Sequence, residues 1–213
     1  MSTEIYIIRH GESKANERDM FLGQKNMDLT ARGESQARIT ADFLRGIDVD
    51  AIYSSDLLRA YFTAKATADI LGIDIIKKTG MREIDAGEWD FMTFDDIAVK
   101  YPESWECWTN DFGNAVCDGG ESVAHLRERV VNTVTEIAKE NDGKTVFIFT
   151  HATPIRVLAS YCLGKSIDEM KEVPWPSNAS VSHVSWDAER LSLVEYSRDD
   201  FMGELATKLP DNV

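Results

Sequence analysis

Short apolar runs alternate with longer, helix-patterned segments along most of this chain, and that alternation restricts the fold more than any other feature. The strand-like runs are IYII (5–8), AIYSS (51–55), IDIIKK (73–78), TVFIFT (145–150), SVSHVSW (180–186) and LSLVEY (191–196). Over 29–46, Ala37, Ala41 and the Phe43–Leu44 pair recur at helical intervals, with Thr30 placed to cap the helix and Gly46 to stop it. The segment 56–72 opens on a capping residue, Asp56, and closes on Gly72. In 120–143, Val123, Leu126, Val130, Val134 and Ile137 fall on one face. Strand–helix repetition of this kind predicts an α/β three-layer sandwich with a mostly parallel central sheet and helices on both faces. The last two strands, split by the DAER turn at 187–190, read as an antiparallel hairpin at one edge. A length of 213 residues suits a single domain over 1–213.

One stretch breaks the rhythm. Residues 84–119 lack a clear strand and carry Trp89, Phe91, Phe94, Trp105, Trp108 and Phe112. A long aromatic insert is a cap over a site or packing on the sheet face, and the pattern alone does not choose between them.

Composition narrows the function. With 23 Lys and Arg against 37 Asp and Glu, the net charge is -14, which argues against nucleic acid and anionic membranes as partners. Any anion must therefore be bound by locally gathered positive charge. Three cysteines without CxxC spacing suggest neither a disulfide framework nor a zinc knuckle, and point to a reducing compartment. The opening MSTEIYIIRHGES has no signal-peptide pattern, and no apolar stretch approaches the roughly 20 residues of a membrane helix. A cytoplasmic protein, monomeric or homodimeric, is expected.

Two of the four histidines share a context. His10 follows the run IYIIR, and His151 follows TVFIFT and precedes ATPIRVL, which starts a helix. Both stand at the carboxyl ends of strands, where parallel sheets bind ligands. Thr153 is placed to cap that helix and Pro154 suits its first turn, leaving backbone N–H groups near His151 for an anion. Arg59, about one turn into the helix after AIYSS, can reach the same cavity as Arg9. Two guanidinium forks, two imidazoles and a helix N-terminus suit a tetrahedral dianion. The imidazole of His10 then attacks or polarises the phosphorus. Neither His125, mid-helix, nor His183, in an edge strand, is assigned chemistry. A metal site from His10, Glu12 and His151 is disfavoured because two arginines in one cavity repel a divalent cation.

RHGES with Asn16, SSDLLRAYFTA, MREIDAGEWDFMTFDDI and THATPIR, in this order, resemble the histidine phosphatase superfamily, also called the phosphoglycerate mutase-like family. The stretch RHGESKANERDMFLGQKNMDLTARG is also similar, without gaps, to the cofactor-dependent mutase branch. The resemblance implies that His10 becomes a phosphohistidine and that Arg9, Arg59 and His151 bind the phosphate. It further implies that Glu83 is the general acid and that Asn16, Leu22 and Gly23 line the substrate pocket. Ala152 joins that pocket at a position where, with Thr153, the family commonly has Gly-Gly. Phe91 stands where relatives often have Gly and is expected to press an aromatic wall toward the cap. Ala15 stands where the mutase branch has Trp, and the segment after Glu83 is shorter than in that branch.

These readings predict a phosphatase acting on small phosphorylated metabolites, with no metal or other cofactor, because arginines and His151 offset the charge that develops in transfer. A phosphoglycerate mutase and a non-catalytic phospho-ligand-binding protein are the alternatives.

Overall fold

The computed structural model describes residues 2–207. Its elements run β1 (Thr3–Arg9), α1 (Ala31–Leu44), β2 (Ala51–Ser54), α2 (Leu58–Leu71), β3 (Ile75–Lys77), α3 (Phe94–Lys100), α4 (Pro102–Asn110), α5 (Val123–Glu140), β4 (Thr145–Thr150), α6 (Ala152–Cys162), β5 (Val181–Trp186) and β6 (Leu191–Arg198). The six-stranded sheet has the order β3-β2-β4-β1-β5-β6. Its β3, β2, β4 and β1 are mutually parallel, while β5 and β6 add as an antiparallel edge hairpin.

Strand periodicity sends alternate residues to opposite layers. Ile8, Ile52, Phe147 and Phe149 pack with Leu44 of α1 and Ala64 and Ala68 of α2. Their sequence neighbours Ile5, Ile7, Val146 and Ile148 pack with Val130, Val134 and Ile137 of α5 and Ile155 and Leu158 of α6. Strands covered on both faces read as continuous apolar runs, which is why IYII and TVFIFT lack alternation.

Helix ends follow local chemistry. Thr30 caps α1, accepting from the Gly33 N–H at 3.0 Å. The expected cap at Asp56 is not formed: α2 begins at Leu58, and Asp56 instead receives Arg82 Nε at 2.7 Å. Thr153 also fails as a cap, because α6 already starts at Ala152 with His151 in the cap position and no side-chain cap bond. Pro154 does fall in that first turn.

The 84–119 insert contains two helices that its pattern did not reveal, α3 and α4, and part of it is core. Trp89 and Phe112 are fully buried. Phe21, Trp89 and Trp108 meet edge-to-face with centroids 5.1–5.8 Å apart. Phe91 is a correction: it is 47% exposed, lies outside the cavity lining and adopts φ 66°. The backbone there is left-handed, and the half-exposed ring forms no wall of the cavity.

Candidate active site

Strand register builds the site. Parallel pairing sets Arg9 level with Thr150, and the His10 N–H donates to the Thr150 carbonyl at 3.0 Å. His10 and His151 therefore leave neighbouring strands at one edge, with ring centroids 5.2 Å apart. Across β4, Ser54 is level with Phe149, so Ser55 emerges beside His151, Oγ to Nε2 2.8 Å. The loop carrying His10 approaches α1 so closely that a Cβ on Gly11 would lie 2.4 Å from the Gly33 carbonyl oxygen, and only glycine fits.

The hydrogen bonds fix the imidazole of His10. Its Nδ1 lies 2.7 Å from the Gly11 carbonyl, which can only accept, so Nδ1 carries the proton and Nε2 the lone pair. Arg59 Nε–H meets that lone pair at 3.2 Å. Burial, reinforced by Arg59 and Arg9, holds His10 well below the usual imidazole pKa, so the imidazole is neutral at physiological pH. His151 is lowered in the same way, first by burial and then by Arg59.

The complementary donors are buried too. Ser55 Oγ, which accepts from the Leu57 N–H at 3.3 Å, lies 2.8 Å from His151 Nε2; with the hydroxyl donating there, the ring proton sits on Nδ1. Among the described residues, His151 Nδ1 and Arg9 Nε have no partner although both are buried. Two such donors beside the α6 N-terminus suit an oxyanion. Burial draws Arg9 and Arg59 down to about 10, and both remain cations at neutral pH.

Arg59 also serves the neighbouring loop. Its Nη1 donates to the Lys25 carbonyl at 2.9 Å and its Nη2 to the Leu22 and Gly23 carbonyls at 3.3 and 2.9 Å. Leu22 lines the cavity. Gly23 does not; its carbonyl holds Arg59, its N–H donates to Asp90 at 2.8 Å, and a Cβ would lie 2.4 Å from the Ala86 nitrogen. Gly23 shapes the loop without lining the pocket.

Glu83 is 7% exposed and faces the cavity, where Oε1 accepts from the Ile84 N–H at 2.8 Å and Oε2 from the Thr153 N–H at 3.4 Å. Asn16 also lines it. Its Oδ1 accepts from Ser13 Oγ at 2.9 Å and Asn178 Nδ2 at 3.3 Å, which turns its amide nitrogen free for a ligand. Ala152 and Thr153 contribute lining from the first turn of α6. Glu12 hydrogen-bonds Thr30 Oγ1 at 2.7 Å and pairs with Arg32 at 3.6 Å, so it does not join the two histidines. Among the described residues, no cluster of His, Cys, Asp and Glu is arranged to hold a metal ion.

The cavity, about 910 Å³, extends well beyond these groups. The rest of its lining includes Phe21, Phe94, Trp108 and Trp175 and the carboxylates Glu17, Asp19 and Glu204. Two residues that hold the site together escaped the sequence reading. Ser55 was legible in principle as the residue leaving β2, but Asn178, whose Nδ2 donates to the His10 carbonyl at 3.2 Å, carried no local signal.

Comparison with known proteins agrees with this geometry. Residues 5–199 match the model of the histidine phosphatase superfamily (branch 1). The chain belongs to that family. It is 32% identical over 202 residues to phosphoserine phosphatase 1 of Hydrogenobacter thermophilus, covering 94% of this chain and 95% of that one. It is 33% identical over 207 residues to a probable phosphoglycerate mutase, GpmB, of Enterobacter sp., covering 88% and 94%. The solved structure of Bacillus stearothermophilus YhfR superposes with a TM-score of 0.90 at 25% identity, covering 94% and 99% of the two chains. This member of the histidine phosphatase superfamily carries the family's phosphatase or mutase chemistry.

Proposed function

We infer that this histidine phosphatase family member hydrolyses small phosphomonoesters through a phosphohistidine on His10. The observation that carries the reading is the neutral His10 imidazole, its Nε2 lone pair met by the buried Arg59 Nε–H at 3.2 Å and its charged form disfavoured by burial and by the Arg59 and Arg9 cations. As the ester enters, Arg59 Nε–H passes from that lone pair to a phosphate oxygen. Nε2 attacks phosphorus, the ester P–O bond breaks, and Glu83 gives a proton to the departing alkoxide. Arg9, Arg59, His151 Nδ1–H and the α6 N-terminus hold the charge on the equatorial oxygens. Water then attacks the phosphohistidine and gives a proton to Glu83. The P–N bond breaks, releasing phosphate and the neutral imidazole.

Hydrolysis is favoured over mutase transfer by the rest of the cavity lining. A phosphoglycerate carries a carboxylate that, unlike the one in phosphoserine, has no ammonium group beside it and so needs a cation from the protein. The remaining cation in the lining, Arg32, is engaged by Glu12 at 3.6 Å and by the Ala206 carbonyl at 2.9 Å, while Glu17, Asp19 and Glu204 are negative. Carboxylates beside aromatic rings suit an ammonium group. The phosphoserine phosphatase among the relatives makes phosphoserine the first ester to test.

The test is phosphate release from phosphoserine, 3-phosphoglycerate, sugar phosphates and nucleotides, with His10→Ala protein as the blank and with chelator added in a parallel series. Release from phosphoserine that vanishes in the blank and ignores the chelator supports the reading. Release that persists in the blank, or isomerisation of 3-phosphoglycerate in place of hydrolysis, overturns it.

A further inference from the structure

Glu83 lies on an irregular segment after β3, yet proton transfer to a leaving oxygen demands that its carboxyl be held to within a fraction of an ångström. The side chain responsible for its placement comes from α5. Arg129 Nη1 donates to the Gly80 carbonyl at 3.0 Å and the Arg82 carbonyl at 2.8 Å, and Nη2 donates to the Glu83 carbonyl at 2.8 Å. The remaining donors go to Glu121, Nε to Oε1 and Nη2 to Oε2, both at 2.8 Å. A guanidinium has five N–H donors, and these bonds use all of them. Arg129 thus has none left for a phosphate, and its cation acts on the backbone that presents Glu83.

Glu121 completes the clamp from the other side. It is 8% exposed, its Oε2 accepts from the Asp85 N–H at 3.2 Å, and its own N–H donates to the Asp85 carbonyl at 2.9 Å. Contact with α5 is close: a Cβ on Gly80 would lie 2.1 Å from Thr133 Oγ1, whose hydroxyl donates to the Arg129 carbonyl at 2.7 Å. The segment from 80 to 85 is therefore gripped on both sides of Glu83 by one ion pair.

We propose that the Arg129–Glu121 pair is the positioning device of the general acid, setting how well the enzyme expels alcohols that need a proton in order to leave. The proposal rests on Glu83 being the proton donor. Lysine at 129 keeps the charge but loses the fork, and glutamine at 121 keeps the shape but weakens the pair.

The experiment measures kcat/KM, which reports transfer to His10, for esters running from 4-nitrophenyl phosphate, whose phenolate leaves unaided, to an alkyl phosphate. Arg129→Lys and Glu121→Gln are compared with wild type and with Glu83→Gln, and thermal melting checks that each is folded. The pair positions the acid if a folded variant loses roughly tenfold or more on the alkyl ester and less than about twofold on the nitrophenyl ester, in the pattern of Glu83→Gln. Equal loss on both esters, or no loss on either, overturns the proposal. Should Arg129→Lys not fold, Glu121→Gln decides alone. If Glu83→Gln itself loses equally on all esters, the acid assignment fails, an outcome separate from failure of the clamp.

Discussion

The two ends of the cavity are built on different principles. At the phosphate end, the lining residues Arg9, His10, Arg59 and Glu83 are all buried, as is His151 beside His10, and the ends of β1, β2 and β4 fix where most of them emerge. At the far end, Glu17, Asp19 and Glu204 are exposed, and the lining is gathered from the loop after β1, the 84–119 insert, Trp175 and the segment 204–207. A sheet edge allows little variation in the geometry of the reacting atoms, whereas loops from four places can change independently. This contrast leads us to propose that the family's shared chemistry belongs to the first end and the choice of alcohol to the second.

If that division is right, damage at the phosphate end should be severe and indifferent to the alcohol. His10→Ala is expected to lower kcat at least about 10⁴-fold on every ester, since nothing else supplies the nucleophile. Turnover assays with denaturation curves check this, and a residual rate that differs among alcohols would break the division. Arg59→Lys should cost about 10²-fold in kcat/KM, because lysine cannot serve phosphate and the Leu22, Gly23 and Lys25 carbonyls together. A loss that varied with the alcohol would mean that Arg59 acts chiefly through its loop.

The buried histidines give the same end a signature in stability. His10 and His151 are held below their unfolded pKa, so as pH falls through about 6.5 the unfolded chain binds protons that the folded chain refuses. Their contribution is complete above that pH and is lost on acidification, at up to about 1.4 kcal/mol per pH unit for each histidine. Urea denaturation at a series of mildly acidic pH values should show this slope, and His151→Gln should remove the share of one histidine. An unchanged slope in that variant would show that His151 titrates freely.

How legible each end was follows from the same contrast. His10, His151 and Arg9 could be found because an apolar run ends where a strand ends, and parallel register then brings them together. Leu44, Val130 and the strand interiors were legible for a similar reason, since burial imposes periodicity. Glu83 had no such signal and came only through its family-like MREI context. In the 84–119 insert, Trp and Phe fall on helices too short for a periodic pattern to emerge, so α3 and α4 were invisible. Asn178 and Trp175 reach the cavity through tertiary packing, and no local pattern announces that.

The far end should respond to charge, modestly and selectively. Replacing both Glu17 and Asp19 by lysine is expected to shift the kcat/KM ratio of phosphoserine to 3-phosphoglycerate roughly tenfold toward the latter. The rate on 4-nitrophenyl phosphate should stay within about twofold. A ratio that does not move would place the alcohol elsewhere in the cavity and remove the argument against a second anionic group.

The smallest effect sharpens the boundary between the ends. Phe91 occupies a left-handed backbone position at φ 66°, and its half-exposed ring lies outside the cavity lining. A non-glycine residue there costs about 1–2 kcal/mol of local strain. Glycine relieves that strain while freeing the unfolded chain, so Phe91→Gly should gain up to about 1 kcal/mol by urea denaturation. Turnover on every ester should remain within about twofold, because the ring touches neither end of the cavity. A change in alcohol preference would mean that this turn transmits to Phe21, whose carbonyl accepts the Phe91 N–H at 3.0 Å, and that the 84–119 insert is read through its backbone as well as its rings.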